Sequence, residues 1–469
     1  MKPSIKPFAH QKKSLAHAKT TPIVYDCSDP GTGKTAVAIW DFEQRRKKKG
    51  KCALVLAPKS LLRSTWYNDF KKFAPGLKVA VATAADRGEV FKQDADVYVT
   101  NIDAAKWLAQ QSNQFFVKFD SLIIDESSAY KHATSQRSKA MAKIAKKFKH
   151  RRAMTGTPNG RSITDVWHQA FLLDDGKRLG TSFFSFRNAV CEPKQVGRNA
   201  HAINWTDKDG AEEAVFGLLQ DIVIRHKFED CVDIPPNHRY TMEYELTPKQ
   251  RKVYDEFEMR QYVELARKTP ANASARLLGQ RPVDVVELTA INAAVLANKL
   301  LQVASGAVYG ASNECVLVDD GRYKMVLDLV EERQHSLVFF HWKHQRDALA
   351  AEADKRGITF CVLDGETTDD ERAGMVAAYQ AGRFKVMFAH PRSAAHGLTL
   401  TKGTTTIWSS PTYDLELYEQ GSKRQHRMGQ TQKTETITII APGTIDARVY
   451  EILQGKNARM QNLLDLFAS

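Results

Sequence analysis

Eight residues, Ser28-Asp-Pro-Gly-Thr-Gly-Lys-Thr35, leave this chain few ways to fold. A short β-prone run, Ile23–Cys27, feeds them, and a helical pattern follows from Thr35 to about Lys48. A strand, a glycine-rich loop and a helix in that order turn backbone N–H groups inward and set a helix N-terminus behind them, which makes a cradle for phosphate. Gly31 and Gly33 let the backbone approach an anion without a Cβ clash. Pro30 and Thr32 belong to the same loop and are counted in the nucleotide site. Lys34 is expected to reach the β- and γ-phosphates of ATP, and Thr35 to bind Mg2+ through its hydroxyl.

The same alternation continues along the chain. Strand candidates are Cys52–Ala57, Val79–Ala82, Val97–Thr100, Ser121–Asp125 and Arg152–Thr155, with a helical stretch at Leu61–Phe73. Near-continuous apolar runs separated by helices indicate a parallel sheet covered on both faces. The scheme returns in the second half, at Ser336–His341, Ile358–Leu363, Lys385–Ala389, Thr404–Trp408 and Glu435–Ile440. Helical patterns lie at 343–356, 369–381, 414–427 and 445–467, and also at 248–268 and 283–303. Pro235 and Pro236 interrupt regular structure between the halves. The expectation is an α/β protein of two lobes, each a mostly parallel sheet flanked by helices, with domains 1–238 and 239–469.

Charge separates those halves. The 469 residues carry a formal net charge of +14. The first 238 hold 39 basic and 25 acidic residues, and the remainder hold 29 of each. The whole excess sits in the first half, which suggests a polyanion facing it. The composition is 43% hydrophobic and 26% charged, which excludes a disordered chain. No apolar run approaches the ~20 residues of a membrane span. No secretory signal is visible, and six scattered cysteines with no paired spacing read as reduced thiols. The expected location is the cytoplasm.

Leu122-Ile-Ile-Asp-Glu126 ends an apolar strand in two acids, which are costly there unless they hold a metal or polarise water. Asp125 is expected to hold Mg2+. Glu126 is expected to orient and deprotonate the attacking water. In the second half, Gln420-Gly-Ser-Lys-Arg424-Gln-His-Arg427-Met-Gly-Gln430 is dense in cations and amides. At helical spacing Arg424 and Arg427 share a face, and two guanidinium groups side by side make sense opposite an anion. Arginines brought from outside the phosphate-loop lobe can stabilise the γ-phosphoryl transition state. Thr155-Gly-Thr-Pro158 also follows a strand, and by itself reads as a turn.

With these residues in place, the chain resembles the ATPases of helicase superfamily two, and more narrowly the Snf-type DNA translocases of minimal phage or bacterial type. Ser28 in place of the general loop's first Gly is similar to that superfamily's variant. The resemblance runs from about Phe8 to Lys456. It implies two RecA-like lobes and a Gln motif at Phe8-Ala-His-Gln11, with Gln11 reading adenine and Gln420 joining the nucleotide site. It also implies backbone-contacting motifs at Ala57–Trp66, with Lys59 and Arg63, and at Val99-Thr100-Asn101. Thr155 and Gly156 begin the stretch through Leu173 that resembles the family's third motif. Ile224-Arg-His-Lys227, Leu246-Thr-Pro-Lys-Gln250 and Gly397-Leu-Thr-Leu400 match as well, and Gly397 and Thr399 are implied to couple to nucleic acid. The box that reads Asp-Glu-x-His in the family is Asp125-Glu126-Ser127-Ser128 here, and the family's motif-V Asn is Thr399.

Ser127–Arg152 holds nine Lys or Arg and no acid, and Arg45–Lys51 adds a second basic run. Each reads as a solvated face or as a sequence-independent grip on a phosphate backbone. No base-reading module is apparent and no clear strand-separating wedge, with Trp107, Trp342 and Trp408 standing as aromatic candidates for one. The expected activity is ATP hydrolysis during tracking along duplex or branched DNA, by a monomer whose protein partners the sequence does not name. A strand-separating helicase on DNA or RNA, and a nucleic-acid-binding scaffold with impaired hydrolysis, are the alternatives.

Overall fold

The computed structural model describes residues 5–49, 51–195, 203–231, 233–268, 295–310, 314–394 and 398–468. The chain divides into two compact units. Unit 1 takes residues 1–192, 206–234 and 456–469; unit 2 takes 193–205 and 235–455.

Unit 1 is built on a parallel sheet. Its strands are β1 (Ile23–Asp26), β2 (Cys52–Ala57), β3 (Val79–Ala82), β4 (Val97–Asn101), β5 (Phe119–Asp125) and β6 (His150–Met154). A two-stranded ribbon, β7 (Cys191–Gln195) with β8 (Ile203–Asp207), most of it assigned to unit 2, precedes in sequence the last strand of this sheet, β9 (Val223–Ile224). The order is β3-β4-β2-β5-β6-β1-β9, with every pairing parallel. Ala53 through Ala57 are all buried, as a central strand covered on both faces requires. One face packs around Leu56, Tyr98, Phe116, Phe119, Leu122 and Met141, and the other around Ile39, Phe42, Val55, Trp66 and Phe70. Each such side chain contributes roughly 1.5–3 kcal/mol by its burial. The order puts the C-terminal ends of β1, β5 and β6 side by side, so the segments after Asp26, Asp125 and Met154 share one edge.

Unit 2 repeats the plan. Its sheet is formed by β10 (Asn237–Glu243), β13 (Ser336–Phe339), β14 (Phe360–Leu363), β15 (Val386–Ala389), β16 (Thr405–Trp408) and β17 (Thr434–Ile440), with a small ribbon β11 (Ala307–Tyr309) and β12 (Cys315–Leu317). The order is β10-β17-β16-β13-β15-β14, again parallel throughout. Under it, Arg322 donates to Asp446 at 2.6 Å, with both side chains almost wholly buried.

The architecture is α/β with two mostly parallel sheets flanked by helices, as the sequence pattern indicates. Local differences have physical causes. β10 carries His238, Arg239 and Tyr240 exposed along an edge, so no apolar run announces it. The stretch expected as one helix at Leu61–Phe73 is a 3-10 turn at Lys59–Leu61, a π-helical segment at Leu62–Tyr67 and an α-helix at Asn68–Phe73. The helix expected over 414–427 ends at Ser422. Of the helix expected at 283–303, residues 283–294 lie outside the described residues, and the chain is helical from 295 to 304.

Candidate functional site

The loop after β1 turns on its two glycines. Gly31 and Gly33 have φ of 92° and 84°, in the left-handed region. A Cβ on Gly33 would collide with Gln11 Nε2, and one on Gly31 would meet the Phe228 ring at 2.8 Å. Lys34 opens the helix Lys34–Lys49 and donates its ammonium to the carbonyls of Ser28 at 2.5 Å and Asp29 at 3.2 Å. Thr35 is next on that helix and half-buried.

Gln11 is 4% exposed and holds the loop from outside. Its Nε2 donates to the Thr32 carbonyl at 3.2 Å, and its Oε1 accepts from Phe8 N at 3.0 Å. The loop has a second clamp that sequence reasoning left without a role. Arg225 pairs with Asp29 at 2.9 Å and donates to the Cys27 carbonyl at 3.0 Å. Phe228 N donates to Asp29 Oδ2, and His226 N to Ser28 Oγ. The signal was present in Ile224-Arg-His-Lys227, but the partners lie almost two hundred residues away in sequence.

Asp125 ends β5 buried, accepting from Trp66 Nε1 at 2.8 Å and from Glu126 N at 3.2 Å. Burial pushes its carboxyl above the usual range, opposed by Trp66 and by the nearby Lys34 ammonium. Trp66 was assigned with its neighbours to a nucleic-acid motif; the structure turns it inward, fully buried, as a support for Asp125. Lys59 and Arg63 of the same segment are exposed. Glu126 has φ 51° and ψ 58°, a left-handed conformation that costs a non-glycine residue about 1 kcal/mol and more at strained sites. The strain redirects the chain sharply where the second acid leaves the strand.

Gly156 meets the phosphate loop, and Thr155 the end of the strand that feeds it. Thr155 N donates to the Asp26 carbonyl at 3.0 Å. A Cβ on Gly156 would lie 3.0 Å from the Pro30 ring. Ser127 and Ser128 are both buried, and Ser127 Oγ donates to Gln169 Oε1 at 2.7 Å.

Some expected contacts with nucleic acid are corrected. Thr100 is fully buried and donates to the Ala82 carbonyl, so it holds β4 to β3 and offers nothing to a ligand. Asn101, by contrast, stays partly accessible: it is half-buried and accepts from Arg87 at 2.7 Å. Arg151 and Arg152 leave the proposed basic track. Arg152 forms buried pairs with Asp26 at 3.3 Å and Asp41 at 3.5 Å, and Arg151 pairs with Asp175 at 2.9 Å. Despite burial, which alone would raise it, Arg152 and Arg45 hold the Asp41 carboxyl below its ordinary value. Lys139, Lys143, Lys146, Lys147 and Lys149 remain exposed on and just beyond the helix Gln136–Ala145.

In unit 2, Arg424 and Arg427 lie past the end of the helix Leu415–Ser422 and not on it. They nevertheless converge: Arg424 donates to the Leu398 carbonyl at 3.2 Å and Arg427 to the same oxygen at 2.9 Å. Arg427 also reaches Thr399 Oγ1 at 3.4 Å. Gln420 is buried on the preceding helix, and its backbone carbonyl accepts from Arg424 Nε at 2.7 Å. Gly397 lies outside the described residues. Trp408 is buried against Phe339, ring centroids 4.3 Å apart, and Trp107 packs on the core, so neither stands out as a wedge; Trp342 is half-buried and stacks on His344.

The chain is similar to known proteins. The family model described as SNF2-related domain matches residues 24–283, more than half the chain. The chain belongs to the SNF2-related family. Residues 321–429 match the helicase conserved C-terminal domain. This SNF2-family chain is thereby placed among the nucleic-acid-dependent ATPases of helicase superfamily two. It is 28% identical over 459 residues to putative protein p41 of Acyrthosiphon pisum secondary endosymbiont phage 1, covering 93% of each chain. It is 24% identical over 445 residues to the human SWI/SNF-related matrix-associated actin-dependent regulator of chromatin subfamily A member 1, covering 90% of this chain and 40% of that one. An uncharacterized ATP-dependent helicase of Mycoplasma pneumoniae is 22% identical, over 92% of this chain and 39% of its own length. The chain thus spans about two fifths of these longer relatives. Among solved structures, the Sulfolobus solfataricus SWI2/SNF2 ATPase core in complex with dsDNA aligns at 20% identity with a TM-score of 0.45, over 98% of this chain and 93% of that chain. No helix among the described residues is long and apolar enough to cross a membrane.

Proposed function

We propose that this protein is a DNA-stimulated ATPase that hydrolyses ATP to ADP and phosphate while tracking the backbone of duplex or branched DNA as a monomer. In this reading residues 1–238 form the ATP-binding lobe and 239–469 the lobe that carries the arginine motif. The observation that carries it is the glycine loop gripped from both sides, by Gln11 and by Arg225 with Phe228, beside two acids at the end of β5.

Gly31, Thr32, Gly33 and Lys34 take the phosphates, with Pro30 fixing the loop's approach and Gln11 at its adenine side. The Thr35 hydroxyl and the Asp125 carboxylate are hard oxygen donors suited to Mg2+, and a carboxylate this buried is stabilised by a cation. Mg2+ bound there would neutralise charge on the β- and γ-phosphoryl oxygens. Glu126 takes the proton of the attacking water. Arg424 and Arg427 supply positive charge to the phosphoryl transition state, an effect of about 10³–10⁵ in rate.

Duplex tracking is favoured over strand separation because Trp408 is buried in a core and Trp107 packs against one, which leaves the half-buried Trp342 alone of the three candidates. DNA is the polyanion that fits the excess charge of residues 1–238 and the exposed lysines of 139–149, through contacts that carry no sequence information. Lys59, Arg63 and Asn101 would add to that grip. Thr155 and Gly156 would couple it to the phosphate loop, with Gly397 and Thr399 doing so in the second lobe.

ATPase turnover with and without duplex DNA tests the reading. Wild type is expected to be stimulated, and Glu126→Gln to bind ATP yet lose turnover by about 10²–10⁴. Arg424→Ala and Arg427→Ala should each cut turnover strongly. DNA-stimulated hydrolysis surviving in Glu126→Gln would remove the assigned base, and a full-rate arginine double variant would remove the second lobe's role.

A further inference from the structure

We propose that Gln169 is a positioning residue that joins the Asp125-Glu126 turn to the Thr155–Pro158 loop, and through it couples hydrolysis to nucleic acid. The inference rests on the reading above, that Glu126 is the base and that DNA stimulates turnover.

The bridge has two ends in one planar group. Ser127 follows Glu126 directly, and its hydroxyl donates to Gln169 Oε1 at 2.7 Å. The same amide donates from Nε2 to the Pro158 carbonyl at 2.8 Å and to the Asp165 carbonyl at 2.9 Å. Ser127 and Gln169 are both fully buried, so no solvent stands in for a lost bond. An amide is flat, so rotation forced at its oxygen end is felt at its nitrogen end.

Both connected segments are held elsewhere in ways that make them move as pieces. The turn after Glu126 is gripped at its far end by the neighbouring helical residue: His168 Nδ1 donates to the Tyr130 carbonyl at 2.6 Å, beside Ser138 Oγ at 3.0 Å. Glu126 sits in a left-handed conformation, so a shift of its carboxylate is passed to Ser127 and not absorbed by a free backbone. On the other side, Pro158 closes the loop whose Gly156 lies on Pro30. That loop has unused hydrogen-bonding capacity: Thr157 Oγ1 and Asn159 Oδ1 are buried without a hydrogen-bond partner among the described residues. A loop with two such groups has a second arrangement from which it can gain. Gln169 therefore stands between the strained acid turn and a loop able to change state.

The experiment compares wild type, Gln169→Leu, Gln169→Glu, Ser127→Ala and the Gln169→Leu/Ser127→Ala double variant. Melting temperature, KM for ATP, and kcat with and without duplex DNA are read for each. Gln169→Glu keeps the acceptor for Ser127 and removes both donors, so it separates the two ends of the bridge. The stimulation ratio is expected to fall about tenfold in each single variant, with KM and unstimulated kcat near wild type. The double variant should be no worse than the worse single one. A folded variant that keeps the wild-type ratio overturns the proposal, as does an equal loss of stimulated and unstimulated turnover, which marks a merely structural residue. If Gln169→Leu fails to fold, Ser127→Ala, which removes one hydroxyl, decides by the same criterion. A wild type with ordinary ATPase activity and no stimulation by DNA overturns the reading beneath the proposal, and the proposal with it.

Discussion

Trp66 and Asp125 are 59 residues apart in sequence, and the indole N–H of one donates to the buried carboxylate of the other at 2.8 Å. Hydrogen bonds to charged groups are worth about 1.5–3 kcal/mol, and this one opposes the burial that raises the Asp125 carboxyl. Trp66→Phe keeps the ring and removes the donor. It is expected to raise the Mg2+ concentration needed for half-maximal ATPase activity by about tenfold or more. A Mg2+ titration at fixed ATP reads this directly, and an unchanged midpoint would show that the indole is packing alone.

Gly156 tests the contact between the two loops. Its Cβ position lies 3.0 Å from Pro30 Cδ and 3.3 Å from Cγ, and a proline ring has little room to yield. Gly156→Ala is expected to cost about 1–3 kcal/mol and to weaken ATP binding by displacing Pro30. Thermal melts with and without ATP would show both effects, and an unperturbed nucleotide-induced shift in melting temperature contradicts the second.

Burial pushes the His168 imidazole down to about 4, against its hydrogen bond to the Tyr130 carbonyl. A histidine held neutral in the fold but free to ionise when unfolded stabilises fully above the unfolded value of 6.5. That contribution is lost as pH falls from 6.5 toward 4. Between pH 7 and 4.5 it amounts to roughly 2 to 3 kcal/mol. Denaturant unfolding of His168→Gln across this range should show a shallower acid slope than wild type. Parallel slopes would place the acid sensitivity elsewhere.

Arg322 and Asp446 are 1% and 0% exposed, in contact at 2.6 Å, with the guanidinium also 5.2 Å from the Tyr244 ring. Removing one partner leaves the other charge buried and uncompensated. Asp446→Ala is expected to destabilise unit 2 by about 3–5 kcal/mol. Unfolding followed by a probe in unit 2 should register the loss.

Lys143 and Lys146 are exposed, with no acid between residues 127 and 152. Lys143→Glu/Lys146→Glu should weaken duplex binding for all sequences alike. The slope of log affinity against log salt should fall by about 0.9 for each lost phosphate contact. An unaltered slope would assign these lysines to the solvated face alone.

The sequence was most legible where one short segment determines its own structure. Ala53–Ala57 and Val97–Val99 are apolar enough to be central strands in any α/β context, and they are buried in the sheet of unit 1. Gly31 and Gly33 marked a loop that lets an anion close to its backbone, and in the structure both take a positive φ. What was not legible depends on partners distant in sequence. Nothing local marks Arg152 as a core cation, because Asp26 and Asp41 must first be brought to it by strand pairing. Thr100 looks like a surface hydroxyl until β3 arrives beside it. Arg424 and Arg427 do converge, but through a carbonyl at Leu398 that spacing cannot reveal.

The Lys34 ammonium donates to two carbonyls of its own loop. An arriving phosphate therefore does not meet a solvated cation; it must trade places with Ser28 and Asp29 oxygens, bond for bond. The net gain of such an exchange is a fraction of the gross attraction. A lysine that can fall back onto its own backbone also lowers the cost of letting product go. If the protein turns over ATP as proposed, that self-satisfied loop would favour exchange of the nucleotide over tight retention.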